Sequence, residues 1–353
     1  MVDCIFVRGI HLAPQRLPQG FVSWYYIQYM MPPANPDYPR TWSEFLDRFS
    51  AEEGCAVYLE HLRWPSGFAC PSCGSMSPPY RASRIRLMCK DCKHQSTVTA
   101  GTIFDKTRTP LREWFAAAWY LTNQKQGVSA LGLQRVLGLG SYQTAWTMLH
   151  RFRRAMVRIG REPLKGLVEI DETYIAITDR ESAVPALQRK SHTDKIMIGL
   201  AVEIVQPKGF GRIRLRRLAT DSKECVRQFI QESVQPNSIV RTDGSGSYAK
   251  LHELGYRHER NVMLGSETPA HVCLVGVHRI AALLKRWVLG THHGSIQPEY
   301  LDAYLDEFVF RFNRRSSASR GLLFYRLLQQ AVATDPLTYA QIVHPRPKAE
   351  RAA

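Results

Sequence analysis

The stretch "GLVEIDETYIAI" (166–177) has the alternating apolar rhythm of a β-strand, with three carboxylates, Glu169, Asp171 and Glu172, at its centre. Alternation puts Glu169 and Asp171 on one face and Glu172 on the other. The next two apolar runs, "KIMIGLAVEIV" (195–205) and "GRIRLRRLA" (211–219), continue as strands of a meander. "DSKECVRQFIQESV" (221–234) then reads as a helix with Asp221 as its cap, and "NSIVRTDGSGSY" (237–248) as a short strand running through Asp243 into a glycine turn. Three strands, a helix, a strand and a later helix are the order of a ribonuclease-H-like mixed sheet. In such a sheet Asp171, mid-strand, and Asp243, at the end of a neighbouring strand, meet.

Paired aspartates at that place suit phosphodiester chemistry. In-line displacement at phosphorus needs the attacking and leaving oxygens both stabilised, which two divalent ions about 4 Å apart achieve when carboxylates hold them. Asp243 alone, just before Gly244, reads more readily as a turn former.

Further on, "GVHRIAALLKRWVLGTHHG" (276–294) is an amphipathic helix closing on a glycine. Ile280, Leu283, Leu284 and Trp287 form its buried stripe, leaving His278 and Lys285, seven residues apart, on another side. Asp171 and Asp243 are 72 residues apart, and His278 follows Asp243 by 35. "EFVFRFNRRSSASRG" (307–321) interleaves Phe308, Phe310 and Phe312 with Arg311, Arg314, Arg315 and Arg320; it is either a buried helix with a basic rim or a strip for DNA phosphates.

Charge narrows the partner. The 353 residues carry 47 Lys plus Arg against 31 Asp plus Glu, a net charge of +16, which favours nucleic acid over an acidic membrane surface. No apolar run has bilayer length, and the aromatic stretch "FVSWYYIQYMM" (21–31) is too short and is broken by Gln28. No signal peptide with a cleavage site is present. Residues 1–37, ending near "PPANPDYP", read as a disordered leader, with Met30 or Met31 as alternative starts.

Of eight cysteines, four fall in two tight pairs, "CPSC" (70–73) and "CKDC" (89–92), separated by fifteen residues. Cys70, Cys73, Cys89 and Cys92 can close a tetrahedral shell around one structural zinc, which fits a reducing cytoplasm better than a disulfide framework. Arg81, Arg84, Arg86, Lys90, Lys93 and His94 give this ribbon a basic skin, either for phosphate or as an ordinary solvated surface. From 111 to about 157 the pattern turns helical. Two segments around "GLG", the second capped by Ser141, fit a helix-turn-helix whose reading helix carries Tyr142, Gln143 and Thr144, then Arg151, Arg153 and Arg154. A helical packing unit without DNA contact has the same pattern.

Together these elements resemble bacterial transposases of the insertion-sequence 1595 family, relatives of the DDE transposases and retroviral integrases. The matching segments are "CPSC…CKDC", "WYLTNQKQGVSALGLQRVLGLGSYQTAWTMLHR", "VEIDETYI", "RTDGSGSY", "HRIAALLKRWVLGTHHG" and "YLDEFVFRFNRR", in order over roughly residues 40 to 330. The continuation "AITDRESAV" departs from the glycine and basic residues expected after "VEIDETYI".

The resemblance implies an α+β multidomain chain: leader 1–37, zinc ribbon 38–105, helix-turn-helix segment 106–162, ribonuclease-H-like catalytic domain 163–333 and a disordered tail 334–353. It implies a DDH variant of the catalytic triad, Asp171, Asp243 and His278, holding Mg2+ or Mn2+. Lys285 would meet DNA phosphate, and Tyr142, Gln143, Arg151, Arg154, Arg314 and Arg315 would contribute to DNA binding. Glu169, Glu172, Glu307 and Asn313 are alternative ligands. The implied activity is nicking at terminal inverted repeats followed by strand transfer to target DNA. The implied setting is a homo-oligomer on double-stranded DNA in the bacterial cytoplasm, associated with the nucleoid and not with a membrane. An inactive remnant or DNA-binding regulator and a simple metal-dependent nuclease are the rival functions.

Overall fold

The computed structural model describes residues 36–82, 85–158, 160–177, 195–207, 209–261, 273–294, 296–317 and 319–344. The expected leader up to residue 35, Arg84, the departure from the family pattern at 178–194 and the tail from 345 lie outside them. In chain order the first elements are α1 (Trp42–Arg48), α2 (Glu52–Arg63), β1 (Tyr80–Ala82), β2 (Arg86–Met88), β3 (Gln95–Thr97), α3 (Leu111–Asn123), α4 (Ala130–Leu137) and α5 (Tyr142–Ala155). There follow β4 (Leu167–Ala176), β5 (Lys195–Ile204), β6 (Phe210–Arg217), α6 (Lys223–Ser233), β7 (Ile239–Thr242) and β8 (Arg257–Arg260). The last are α7 (Val275–His292), α8 (Leu301–Phe312), α9 (Arg320–Val332) and α10 (Tyr339–Val343). Two compact units result. One gathers the described residues up to 158 with those from 317 onward, the other those from 160 to 316.

In the first unit β1, β2 and β3 form an antiparallel ribbon, and the helices share an aromatic core. Phe49 and Phe115 meet at 4.7 Å between ring centroids, and Phe45 and Trp119 at 4.9 Å, with Phe324 of α9 edge-on to Phe45, Phe115 and Trp119. Helix α9 packs on α2, α3 and α5, so this unit is completed by chain from beyond the sheet. The sequence expectation runs the catalytic region to 333; the structure ends that unit at 316 and gives α9 to the other. Asp37, placed in the leader by sequence, pairs with Arg48 at 2.6 Å and accepts the Tyr58 hydroxyl on its carbonyl. Part of the expected disordered tail is the ordered α10, closed by a capping box between Thr338 and Gln341. The helix-turn-helix pattern is present as α4, a left-handed Gly138 (φ 64°), and α5 capped by Ser141, whose Oγ accepts from Thr144 N at 3.1 Å.

The second unit is built on a five-stranded sheet in the order β6-β5-β4-β7-β8. β6, β5 and β4 are antiparallel neighbours, whereas β7 runs parallel to β4 and β8 parallel to β7. That order and those directions make it ribonuclease-H-like. One face packs Val168, Ile170, Ala201 and Val240 against Val226, Phe229 and Ile230 of α6 and against Tyr248. The other packs Ile198, Leu200, Val202, Ile213 and Leu215 against Ile280, Leu284 and Trp287 of α7 and Leu305 and Val309 of α8. Ser222, not Asp221, caps α6: its Oγ accepts from Cys225 N at 3.4 Å, while the Asp221 carbonyl accepts from Ser247 Oγ at 2.8 Å. β8, "RHER", has no apolar alternation to announce it, because it is an edge strand that buries little side chain.

The opposite edge, β6, is closed by a side chain. Asn313, just past α8, accepts Ile213 N on Oδ1 at 2.7 Å and donates from Nδ2 to Ile213 O at 3.2 Å, imitating a neighbouring strand. Asn313→Ala leaves both backbone groups without that partner. We expect a loss of about 1–3 kcal/mol and a fall in the unit's melting temperature of roughly 3–10 °C. Thermal unfolding followed by circular dichroism checks it; an unchanged midpoint would sink this reading of Asn313.

Candidate active site

β4 and β7 pair with Leu167 opposite Ile239, Val168 opposite Val240 and Glu169 opposite Arg241. Continuing this parallel register by two residues sets Asp243 beside Asp171. The 72-residue gap between the two aspartates is thus the register offset of the two strands, and alternation continued past the end of β7 assigns both to the face covered by α7. Neighbouring strands lie about 4.8 Å apart, so the carboxylates are brought within electrostatic reach. The effect is visible on Asp171: burial pushes its pKa up, the Asp243 charge pushes it further, and the Glu172 amide and His278 oppose the shift. The Glu172 amide donates to Asp171 Oδ1 at 2.8 Å. Asp243 also keeps its turn-forming role, accepting from Ser245 N on Oδ1 at 2.9 Å beside a left-handed Gly244 (φ 85°).

His278 lies in the first turn of α7 and is half-buried, so it stands between the apolar stripe and solvent. Its Nε2 is shielded from solvent and has no hydrogen-bond partner. A buried nitrogen without a partner is costly, and His278 is near enough to Asp171 for each to feel the other's charge. Two carboxylates and an imidazole are donor types that Mg2+ or Mn2+ takes. Asp171, Asp243 and His278 do not close to within 4.8 Å of one another; among the described residues the four ribbon cysteines alone do so.

The alternative ligands are engaged elsewhere. Glu169 is almost fully buried on the same face and accepts from Gly276 N at 2.7 Å and Val277 N at 3.2 Å, with Arg241 at 3.8 Å. Burial raises its pKa against those two amides and Arg241. Glu172, on the opposite face, accepts the buried Tyr248 hydroxyl at 2.7 Å; burial lifts its pKa to about 7, with Asp171, Asp243 and Asp221 adding to the rise. Glu307 is fully buried and pairs with Arg311 at 2.8 Å, and Asn313 holds β6. Tyr248, which ends "RTDGSGSY", and Arg241, which starts it, were not singled out by sequence; they ride on the same segment as Asp243.

The proposed DNA contacts separate into two groups. Lys285 is exposed two turns beyond His278, and Tyr142 and Gln143 are exposed at the start of α5. Arg151 instead donates to the carbonyls of Leu337 (2.8 Å), Ile103 (2.9 Å) and Asp105 (3.3 Å), and Arg153 is fully buried. Arg154 is half-buried. Arg314 stacks on Phe310 at 4.0 Å, and Arg315 stacks on Phe312 at 3.8 Å while donating to the carbonyls of Phe312, Gly211 and Phe210. Arg151 and Arg315 therefore brace the fold. No described helix is long and apolar enough to cross a membrane.

In the ribbon, Cys70 and Cys92 Sγ are 3.6 Å apart and Cys73 and Cys89 Sγ 3.7 Å. A tetrahedron of ~2.3 Å Zn–S bonds has edges of about 3.8 Å, so the set fits zinc. The two knuckles match: Gly74 N donates to Cys70 O and Lys93 N to Cys89 O, with Gly74 (φ 74°) and Lys93 (φ 58°) both left-handed. No disulfide joins any of the described cysteines.

Comparison with known proteins follows the same division. A model of the ISXO2-like transposase domain matches residues 163–313, ending almost where the sheet unit ends, and a model of the transposase zinc-ribbon domain matches 50–95. An uncharacterised protein in transposable element ISH50 of Halobacterium salinarum (strain ATCC 700922 / JCM 11081 / NRC-1) is 30% identical over 282 residues, 74% of this chain and 91% of that protein. The chain belongs to the insertion-sequence 1595 (IS1595) transposase family. Among solved structures, the Mos1 strand transfer complex covers 69% of this chain and 81% of its own at 15% identity and a TM-score of 0.25. The Mos1 transposase paired-end complex with left transposon end covers 66% and 79% at 14% identity and a TM-score of 0.22.

The zinc ribbon is testable by itself. Purified protein should hold one zinc per chain, and Cys89→Ser should lose it and loosen the ribbon, read by elemental analysis and by faster proteolysis between 64 and 100. Stoichiometric zinc in the serine variant would contradict the four-cysteine assignment.

Proposed function

We propose that this IS1595 transposase binds the terminal inverted repeats of its element as double-stranded DNA, nicks the ends and joins the freed 3′ hydroxyl to target DNA. The support that weighs most is the parallel register that continues to Asp171 and Asp243, with His278 within charge reach of Asp171 and its buried Nε2 lacking a hydrogen-bond partner. Asp171, Asp243 and His278 are the residues that would hold Mg2+ or Mn2+, and such ions supply stabilisation of the attacking and leaving oxygens in an in-line displacement.

The chain's own groups do the rest. Asp171 is held by β4 in the middle of the sheet, and Asp243, one residue past β7, by its turn to Ser245. His278 adds a neutral nitrogen without adding charge, which lowers repulsion toward a phosphodiester compared with a third carboxylate. Lys285, exposed on the same helix, sits where a backbone phosphate can be held. Tyr142 and Gln143 lead the exposed start of α5, the end of a reading helix that meets base edges. The net charge of +16 supplies the general attraction for DNA. Assembly as a homo-oligomer on the two element ends belongs to the same proposal, as does a place on the bacterial nucleoid.

The exposed Tyr142 and Gln143 equally serve a DNA-binding regulator, so the test must separate binding from chemistry. With Mg2+ or Mn2+ and labelled inverted-repeat DNA, we expect nicking and joining by the wild type. Asp171→Ala, Asp243→Ala and His278→Ala should each cut the rate at least about 100-fold with DNA affinity kept. Full cleavage by either aspartate variant would end the metal-site reading. Nicking without joining would indicate a nuclease, and binding without cleavage a regulator.

A further inference from the structure

Glu169 is a carboxylate almost wholly removed from water, two residues before Asp171 on the same face of β4. Its hydrogen bonds go to backbone and not to a side chain. Both of its close contacts are backbone amides of one helix start: Gly276 N at 2.7 Å and Val277 N at 3.2 Å, each to Oε2. Leu274, the residue before α7, offers no side-chain cap, so Glu169 satisfies these orphan donors from across the sheet. Arg241, at 3.8 Å, balances the charge and is itself held by Glu259 at 2.9 Å. The fit is close: a Cβ on residue 276 would lie 2.8 Å from Glu169 Oε2 and 2.7 Å from Ile204 Cδ1, so any larger residue there has to displace the Glu169 or Ile204 side chain. His278 follows Gly276 and Val277 directly.

We infer that Glu169 is a positioning residue: by capping the first turn of α7 from β4 it fixes where that helix starts and so holds His278 against Asp171. This rests on the reading of His278 as a ligand. Glu169 acts through the helix backbone and contributes no ligand of its own. The length of its side chain therefore matters more than its charge.

Two conservative variants separate those properties. Glu169→Gln keeps an oxygen at the same reach and loses the charge; Glu169→Asp keeps the charge and falls one methylene short of the two amides. Equilibrium Mn2+ binding to the full chain, followed by the electron paramagnetic resonance of free Mn2+, is the readout, with thermal unfolding confirming that each variant is folded. A positioning role predicts that Glu169→Gln binds within about threefold of wild type and Glu169→Asp at least about tenfold more weakly, the loss common for groups that orient a ligand. In a His278→Ala background Glu169→Asp should cause no further loss, because there is no ligand left to misplace.

A direct ligand reverses the order, Asp tolerated and Gln not, and its loss adds to that of His278→Ala; either result overturns the inference. Wild-type Mn2+ binding by Glu169→Asp overturns it too. If His278→Ala alone binds Mn2+ like wild type, the ligand reading of His278 falls first, and this inference with it. If His278→Ala weakens binding and Glu169→Asp does not, the ligand reading stands and only the positioning role is lost.

Discussion

The parallel pairing of β4 with β7 is the constraint on which the candidate site depends. A parallel register with a fixed offset places residues two beyond each paired end side by side, on one face, at the spacing of neighbouring strands. A slip of one residue would send either Asp171 or Asp243 to the face covered by α6, among Val168, Ile170 and Val240. The apolar residues that alternate with the aspartates enforce the register, since the same slip would turn them out of the core. Burial that stabilises the fold is therefore what aligns two groups that repel each other; the pKa of Asp171 is raised first by that burial and then by the Asp243 charge.

Acids at the centre of a buried sheet each need a reason to be there, and the structure supplies a different one for each. Glu169 is satisfied by a helix start, Glu172 by the Tyr248 hydroxyl, and Glu203 by Arg212 together with the amides of Arg212 and Lys165. Asp171 receives one neighbouring amide, and it faces Asp243 and His278. Groups left with fewer partners than their burial demands are where function concentrates in a fold that otherwise satisfies its polar atoms.

Much of this was legible in the sequence because it follows short periods. The strand at 166–177, its division of Glu169 and Asp171 from Glu172, and the buried stripe of α7 all come from alternation or helical spacing. The cysteine knuckles come from a spacing that few other structures need. What was not legible depends on partners distant in the chain. Arginine looks alike whether it faces DNA or carbonyl oxygens, so Arg151 and Arg315 read as DNA contacts although their guanidinium groups brace loops and strand ends. Asn313 read as a spare ligand because nothing in sequence says that an amide can stand in for an edge strand. Helix α9 follows α8 directly yet packs with α2, α3 and α5 from the first half of the chain, and periodicity carries no information about which unit a helix joins. The all-polar "RHER" of β8 is a strand only because β7 lies beside it.

The central claim is that Asp171, Asp243 and His278 form one metal-binding edge on the sheet. A crystal structure of the full chain with Mn2+ and terminal-repeat DNA, with manganese located by anomalous scattering, tests it most directly. The account predicts manganese held at this edge by Asp171, Asp243 and His278 Nε2. Manganese bound away from these side chains, or held at Asp171 and Asp243 with His278 turned away and another residue in its place, would contradict it.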